Sequence, residues 1–209
     1  MPSAYPGSTK KAGPIATCQL VIIGIVPVND HDLILRTITD TWGKVSLYTK
    51  QARKGAKRFG GPLDLFLSGH ASIKRAGSEL PLLAGLERRK HLISVDSSLG
   101  GFACANLFAQ ALDHLCQDGD TSTPQLFGIT TSAFEELRQD PAARSSLKAV
   151  TKALHQLLVI NGFIPGGEPL IPSPRTLRTL VATIESLTHR PLHSMDAVET
   201  IINSLSETA

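Results

Sequence analysis

Hydrophobic residues in this chain follow two different periods, and the change falls near residue 92. Before it they alternate with polar residues or cluster in short β-branched runs. After it they recur at helical spacing. A period of two places side chains on opposite faces of a strand, whereas a period of 3.6 lays them along one side of a helix. The chain is therefore expected to be α+β, with an all-β domain at 15–92 followed by an all-helical C-terminal domain at 93–209. Residues 1–14 are rich in Pro, Gly and Ser and have no period, so they read as a disordered tail. Lys10 and Lys11 precede an apolar stretch, as in a signal peptide. That stretch runs into Pro27 and Asn29–Asp32 without a small-residue cleavage site, and its composition is that of a strand.

Five strand-like segments are expected, at 18–28, 33–39, 44–50, 63–74 and 80–90. The first is a β-branched run, Leu20 to Val26, typical of a strand buried on both faces. The third alternates cleanly: Val45, Leu47 and Thr49 face inward, while Lys44, Ser46, Tyr48 and Lys50 face outward. Five strands around a long central loop fit a five-stranded OB-fold β-barrel, a fold whose strand face and loops bind oligonucleotides. An SH3-like barrel has a similar strand count.

The formal charge of +3 hides a partition. Residues 1–43 are neutral. Residues 44–90 carry eleven Lys/Arg against Asp64, Glu79 and Glu87, a net of +8, and residues 91–209 carry a net of −5. Such asymmetry points to two modules, one of them facing a polyanion. The densest stretch holds Lys50, Arg53, Lys54, Lys57 and Arg58 beside three glycines, and no GxxxxGK[ST] phosphate loop is present. Long cationic side chains can follow a phosphate track, and Lys44 and Tyr48 on the adjacent strand face can meet a phosphate and stack a base. The same pattern also describes a solvated basic surface.

Beyond residue 97 the stripes Phe102–Leu115, Leu126–Leu137, Leu147–Leu158, Leu177–Leu187 and Ala197–Leu205 predict helices. Asp140-Pro141 reads as a helix start, Asn161-Gly162 as a C-cap and Ser173-Pro174 as another start. Lys148, Lys152 and His155 share one side of the third helix beside its apolar stripe. Cations there suit an acidic peptide ending in hydrophobic residues, and equally suit an ordinary solvated face.

Catalytic signals are weak. Asp30-His31-Asp32 sits in a turn where polar residues are expected. Ser97-Ser98 lacks a GxSxG elbow. Cys104 lies on an apolar helix face, as a packing residue does. Gly166-Gly167-Glu168 reads as a flexible connection. Cys18, Cys104 and Cys116 form no CxxC and no disulfide framework, and no apolar run reaches the length of a membrane span, which fits a soluble protein of a reducing compartment. No cofactor and no enzyme are expected.

Three collinear segments resemble the bacterial DNA repair protein RecO family. Thr49 to Phe66, preceded by Trp42-Gly43-Lys44, resembles the family's strand, "KGAR" stretch, basic linker and "Leu-x-x-Phe". Leu157 to Pro165 resembles its "LL…G(Y/F)xP", and Thr188 to Ser194 its late "H…PL(K/R)S". Gln51 stands where the family has the Gly of KGAR. The cysteines that bind zinc after the GxP motif in many members are absent here.

The resemblance implies an N-terminal OB-fold and a helical domain. It implies a mediator that binds single- and double-stranded DNA, anneals complementary strands and, with RecR and in some pathways RecF, helps RecA load onto coated DNA in the bacterial cytoplasm, at the nucleoid. It also implies a partner in the C-terminal tail of the single-stranded-DNA-binding protein, with Lys148 and Lys152 as the candidates to hold it and Lys152, by its position near the Gly162 motif, the better of the two. Lys44, Tyr48, Lys50, Arg53, Lys54, Lys57 and Arg58 become the candidate DNA contacts. Two other classes compete: an RNA- or single-strand-binding OB module, and a metal-dependent hydrolase using Asp30, His31 and the Ser97 region.

Overall fold

A computed structural model of the chain describes residues 15–52, 59–74, 80–94, 98–119, 123–140, 142–167 and 169–207. Five strands precede five helices: β1 Ile15–Pro27, β2 Leu33–Thr39, β3 Gly43–Thr49, β4 Leu67–Lys74, β5 Leu82–His91, then α1 Leu99–Leu115, α2 Thr123–Gln139, α3 Ala143–Ile160, α4 Pro174–Thr188 and α5 Met195–Glu207. The expected tail at 1–14 lies outside the described residues.

β1 is long enough to serve two neighbours. Its first half pairs with β4 and its second with β2, both antiparallel. A register shift between Ile22 and Gly24 marks the change of partner. There the Ile22 carbonyl accepts the Phe66 N–H at 2.8 Å. Phe66 has φ +61°, outside extended geometry, which is why β4 begins at Leu67 and not at residue 63 as expected. Inward residues such as Leu20, Leu35, Leu47, Leu67, Ile73 and Leu83 form one core. Filling it supplies the main drive for the sheet to curl, because each side chain leaves water.

The expected five-stranded OB-fold β-barrel needs correction on one side. The order of pairing is β1-β2-β3-β5-β4 and returns to β1. Four of those junctions are antiparallel ladders of seven or eight pairs. The β3–β5 junction is one parallel pair, Tyr48 with Leu82. The cause is overlap: β3 ends where β5 starts. The architecture is thus a curved five-stranded sheet in which β3 and β5 touch at a point, without a continuous hydrogen-bonded wall. The remaining edge of β3 is satisfied by other segments. Tyr48 N–H donates to the Pro81 carbonyl (2.8 Å), Gly119 N–H donates to the Lys44 carbonyl (3.0 Å), and Asp118 Oδ2 accepts from Ser46 N–H (3.0 Å). Covering an edge in this way removes the unpaired groups that would otherwise template association.

The chain divides into two compact units, residues 1–91 with 118–123, and residues 92–117 with 124–209. In the second, α1 is apolar nearly all round and buries Cys104, Leu107, Phe108 and Leu112 among its neighbours. Phe108 meets Phe134 of α2 edge-to-face at 5.9 Å between centroids. Ser98 caps α1 through the Gly101 N–H, and Ser173 caps α4 through the Thr176 N–H with Pro174 at the first turn, as Ser173-Pro174 predicts. Gly162 (φ +75°) closes α3, as Asn161-Gly162 predicts. Asp140 differs from expectation. It accepts from the Ala142 N–H (3.1 Å) within the connection, while α3 starts at Ala143 without a side-chain cap.

Gly60 (φ +68°) and Gly61 (φ +136°) precede the turn into Leu63, and a Cβ on Gly61 would lie 2.1 Å from Arg88 Nη1. Gly61→Ala should therefore strain the backbone and displace Arg88, lowering unfolding free energy by about 1–3 kcal/mol in a urea titration.

Candidate nucleic-acid interface

The described residues on either side of the basic segment are apolar and packed. Ala52 and Phe59, which bound most of its cations in the sequence, are both buried in the sheet core. Arg53, Lys54, Lys57 and Arg58 lie outside the described residues. Lys50, just before Ala52, is exposed. Lys44 is not: only 8% of its surface is accessible, and its carbonyl is bonded by Gly119. Alternation along β3 predicts an outward Lys44, but it carries no information about what covers the residue in the fold.

Tyr48 is half-buried and lies opposite Ile34 on β2. Its hydroxyl donates to Asp32 Oδ2. Asp32 also accepts from Gln51 N–H through Oδ1 (2.7 Å) and from Asn29 Nδ2 through Oδ2 (2.8 Å). Asn29 Oδ1 in turn accepts the N–H groups of His31 and Asp32, an Asx turn written by the Asn-x-x-Asp spacing. Gln51, Tyr48 and Asn29 hold the Asp32 carboxyl at about 2, below its ordinary 3.8, with the Lys50 charge adding to them. The same hydrogen bond keeps the Tyr48 phenol protonated, its pKa raised. Asp32 therefore serves the fold, joining the β1–β2 turn to the end of β3 and to Gln51 just beyond it. Ser97 of the alternative hydrolase lies outside the described residues, as does Glu168. Among the described residues no group of three His, Cys, Asp or Glu side chains is placed to hold a metal ion.

Burial raises the thiols of Cys104 and Cys18 to about 12, with Asp40 adding to the effect at Cys18. Both stay protonated, as packing residues do.

In the helical unit, the three candidate cations of α3 go to different places. Lys148 borders an apolar groove of about 350 Å³ with Arg144, Leu147, Pro172, Ile202 and Leu205. Lys152 pairs with Glu136 Oε1 of α2 at 3.0 Å. His155 lines a separate hollow of about 620 Å³ with Gln125, Gly128 and Ser132.

Sequence reasoning passed over the end of β5, where Arg88, Arg89, Lys90 and His91 follow one another. Three adjacent cations, Arg88, Arg89 and Lys90, carry the signal; they count in the charge of residues 44–90 but are not among the candidate contacts.

Residues 15–90 match the family model described as the N terminal of recombination protein O. Among curated proteins, the chain is similar to three named DNA repair protein RecO. That of Desulfatibacillum aliphaticivorans is 27% identical over 167 residues, covering 78% of this chain and 63% of that protein. That of Geobacter sulfurreducens is 29% identical over 129 residues, covering 61% and 52%. That of Anaeromyxobacter sp. (strain K) is 28% identical over 130 residues, covering 62% and 51%. The chain thus spans between half and two thirds of the length of these relatives. It is similar to RecO-family proteins over these stretches and, with three scattered cysteines, has no zinc-binding cysteine cluster in this sequence.

The Asp32 bonds depend on its charge. Its folded pKa lies below the ordinary one, so the stabilisation is complete above about pH 4 and is lost as pH falls through about 2. Asp32→Asn should lower Tm by about 5 °C at neutral pH, and the gap to wild type should narrow across that acid window in thermal scans.

Proposed function

We propose that this RecO-related chain is a non-catalytic nucleic-acid-binding protein of DNA repair and recombination. Its N-terminal unit contacts DNA through Lys50, Arg53, Lys54, Lys57 and Arg58, with the ring face of the half-buried Tyr48 as the candidate to stack a base. The observation that carries the proposal is the coincidence of two facts. The family match covers residues 15–90, and the net charge of +8 is concentrated in residues 44–90 of the same stretch. Lys44 contributes less than the others, because most of its side chain is covered.

The mechanism is noncovalent. Cations neutralise phosphates, offset repulsion between two strands and let complementary single strands anneal. Single- and double-stranded DNA are both ligands. In the mediator role the chain acts with RecR, and with RecF where that pathway operates, to help RecA load on coated single strands. Holding the coating protein by its acidic, apolar tail raises the local concentration of DNA and partner together. Lys148 is the better of the two candidate tail contacts. It borders an apolar groove with Arg144, whereas Lys152 is engaged by Glu136. No described helix is long and apolar enough to cross a membrane.

Fluorescence anisotropy of a labelled single-stranded DNA across a salt series tests the DNA contacts. Four neutralised phosphates give a slope of log K against log salt near −3. Lys54→Glu with Lys57→Glu should weaken binding by at least about tenfold. A wild-type chain that fails to bind at low salt sinks the assignment, and preference for a matched RNA oligonucleotide redirects it to RNA. For the tail, Arg144→Glu with Lys148→Glu should weaken capture of an acidic peptide ending in hydrophobic residues by about tenfold or more, while Lys152→Glu has a smaller effect.

A further inference from the structure

β5 ends in Arg88-Arg89-Lys90-His91, and the register there is not that of a regular strand. Ser68 pairs with Lys90 and the next residue of β4, Gly69, pairs with Arg88, so Arg89 is an extra residue. A bulge of this kind breaks the alternation of faces and re-aims a side chain. Gly69 is part of the device: a Cβ there would lie 2.5 Å from the Glu87 carbonyl oxygen.

Among the described residues, the hydrogen-bond partners of the two arginines include no carboxylate. Arg88 Nη1 donates to the Gly60 carbonyl at 3.1 Å, and its Nη2 lies 3.1 Å from His91 Nε2. Arg89 Nη1 donates to Gln19 Oε1 on β1 at 3.4 Å. A carbonyl, a ring nitrogen and a carboxamide orient the guanidinium groups, and none of these partners is an anion. Arg89, Lys90 and His91 are exposed and Arg88 is half-buried. Gly60 and Gly61 close the basic segment, and both lack the side chain that would exclude Arg88. The cations of β5 therefore stand where that segment returns to the sheet.

We propose that Arg89 and Lys90 form a second phosphate-contact surface on the N-terminal unit, with Arg88 as the positioning residue that fixes it to the Gly60-Gly61 turn. The ligand is the phosphate backbone of a nucleic acid. A cation on a bulged strand end approaches a backbone without reading bases, so the contact adds affinity and salt dependence but no sequence preference. The inference rests on the DNA-binding function proposed above and adds residues to it.

The test uses the full chain and a labelled oligo-dT across a salt series. Arg89→Ala with Lys90→Ala should flatten the slope of log K against log salt by about 1.4, the share of two single-strand phosphate contacts. Arg88→Lys keeps the charge but loses the planar fork that reaches Gly60 and His91 together. It should weaken binding several-fold while changing the slope little. Thermal unfolding of each variant checks that the fold is retained, as expected for the exposed Arg89 and Lys90. If wild type binds and Lys54→Glu weakens it, yet the Arg89/Lys90 double variant keeps the wild-type slope and affinity, the second surface is wrong and the first stands. If wild type does not bind at all, the functional proposal falls and this inference falls with it.

Discussion

Much of the N-terminal unit depends on one carboxylate. Asp32 sits in the turn between β1 and β2 and accepts from the Tyr48 hydroxyl, the Gln51 N–H and the Asn29 amide. Tyr48 is also the residue whose backbone makes the sole pairing with β5. Gln51, at φ +54°, starts the turn into the basic segment. A charged acceptor bonded to three donors forms stronger hydrogen bonds than a neutral one. Asp32 thus secures the end of β3 at the point where backbone pairing is thinnest.

That thin junction follows from chain geometry. A parallel contact between β3 and β5 extends only as far as the two strands overlap, and they overlap by one residue. The groups left over on β3 still need partners, because unpaired backbone groups are costly once removed from water. Pro81 supplies one, and Asp118 and Gly119, which lie between α1 and α2, supply the others. This explains why 118–123 groups with the sheet although the sequence places it among helices.

The candidate interface shows the same dependence on packing. Ala52 and Phe59, on either side of residues 53–58 in the sequence, are both buried in the sheet core. Arg88 ties the returning turn to β5. On β3, by contrast, the outward position of Lys44 does not make it available. Facing away from one core is a local property, and exposure depends on what else folds over the residue.

The order of five strands and five helices, most of their boundaries, the caps at Ser173 and Gly162, and the two-part charge distribution were legible in the sequence by itself. Periodicity, capping chemistry and charge are properties of neighbouring residues. The resemblance of residues 49–66 to the RecO family was legible too, and the family match over 15–90 agrees with it. Only the tertiary structure decided the late start of β4 at Leu67, the single-pair contact between β3 and β5, the cover over Lys44, the separation of Lys148 from Lys152, and the structural use of Asp32. Each depends on residues far apart in the chain: Phe66 on Ile22, Tyr48 on Leu82, Lys152 on Glu136. Spacing along a sequence fixes which way a side chain leaves its own strand or helix; what it meets there is set by the other segments that the core draws in.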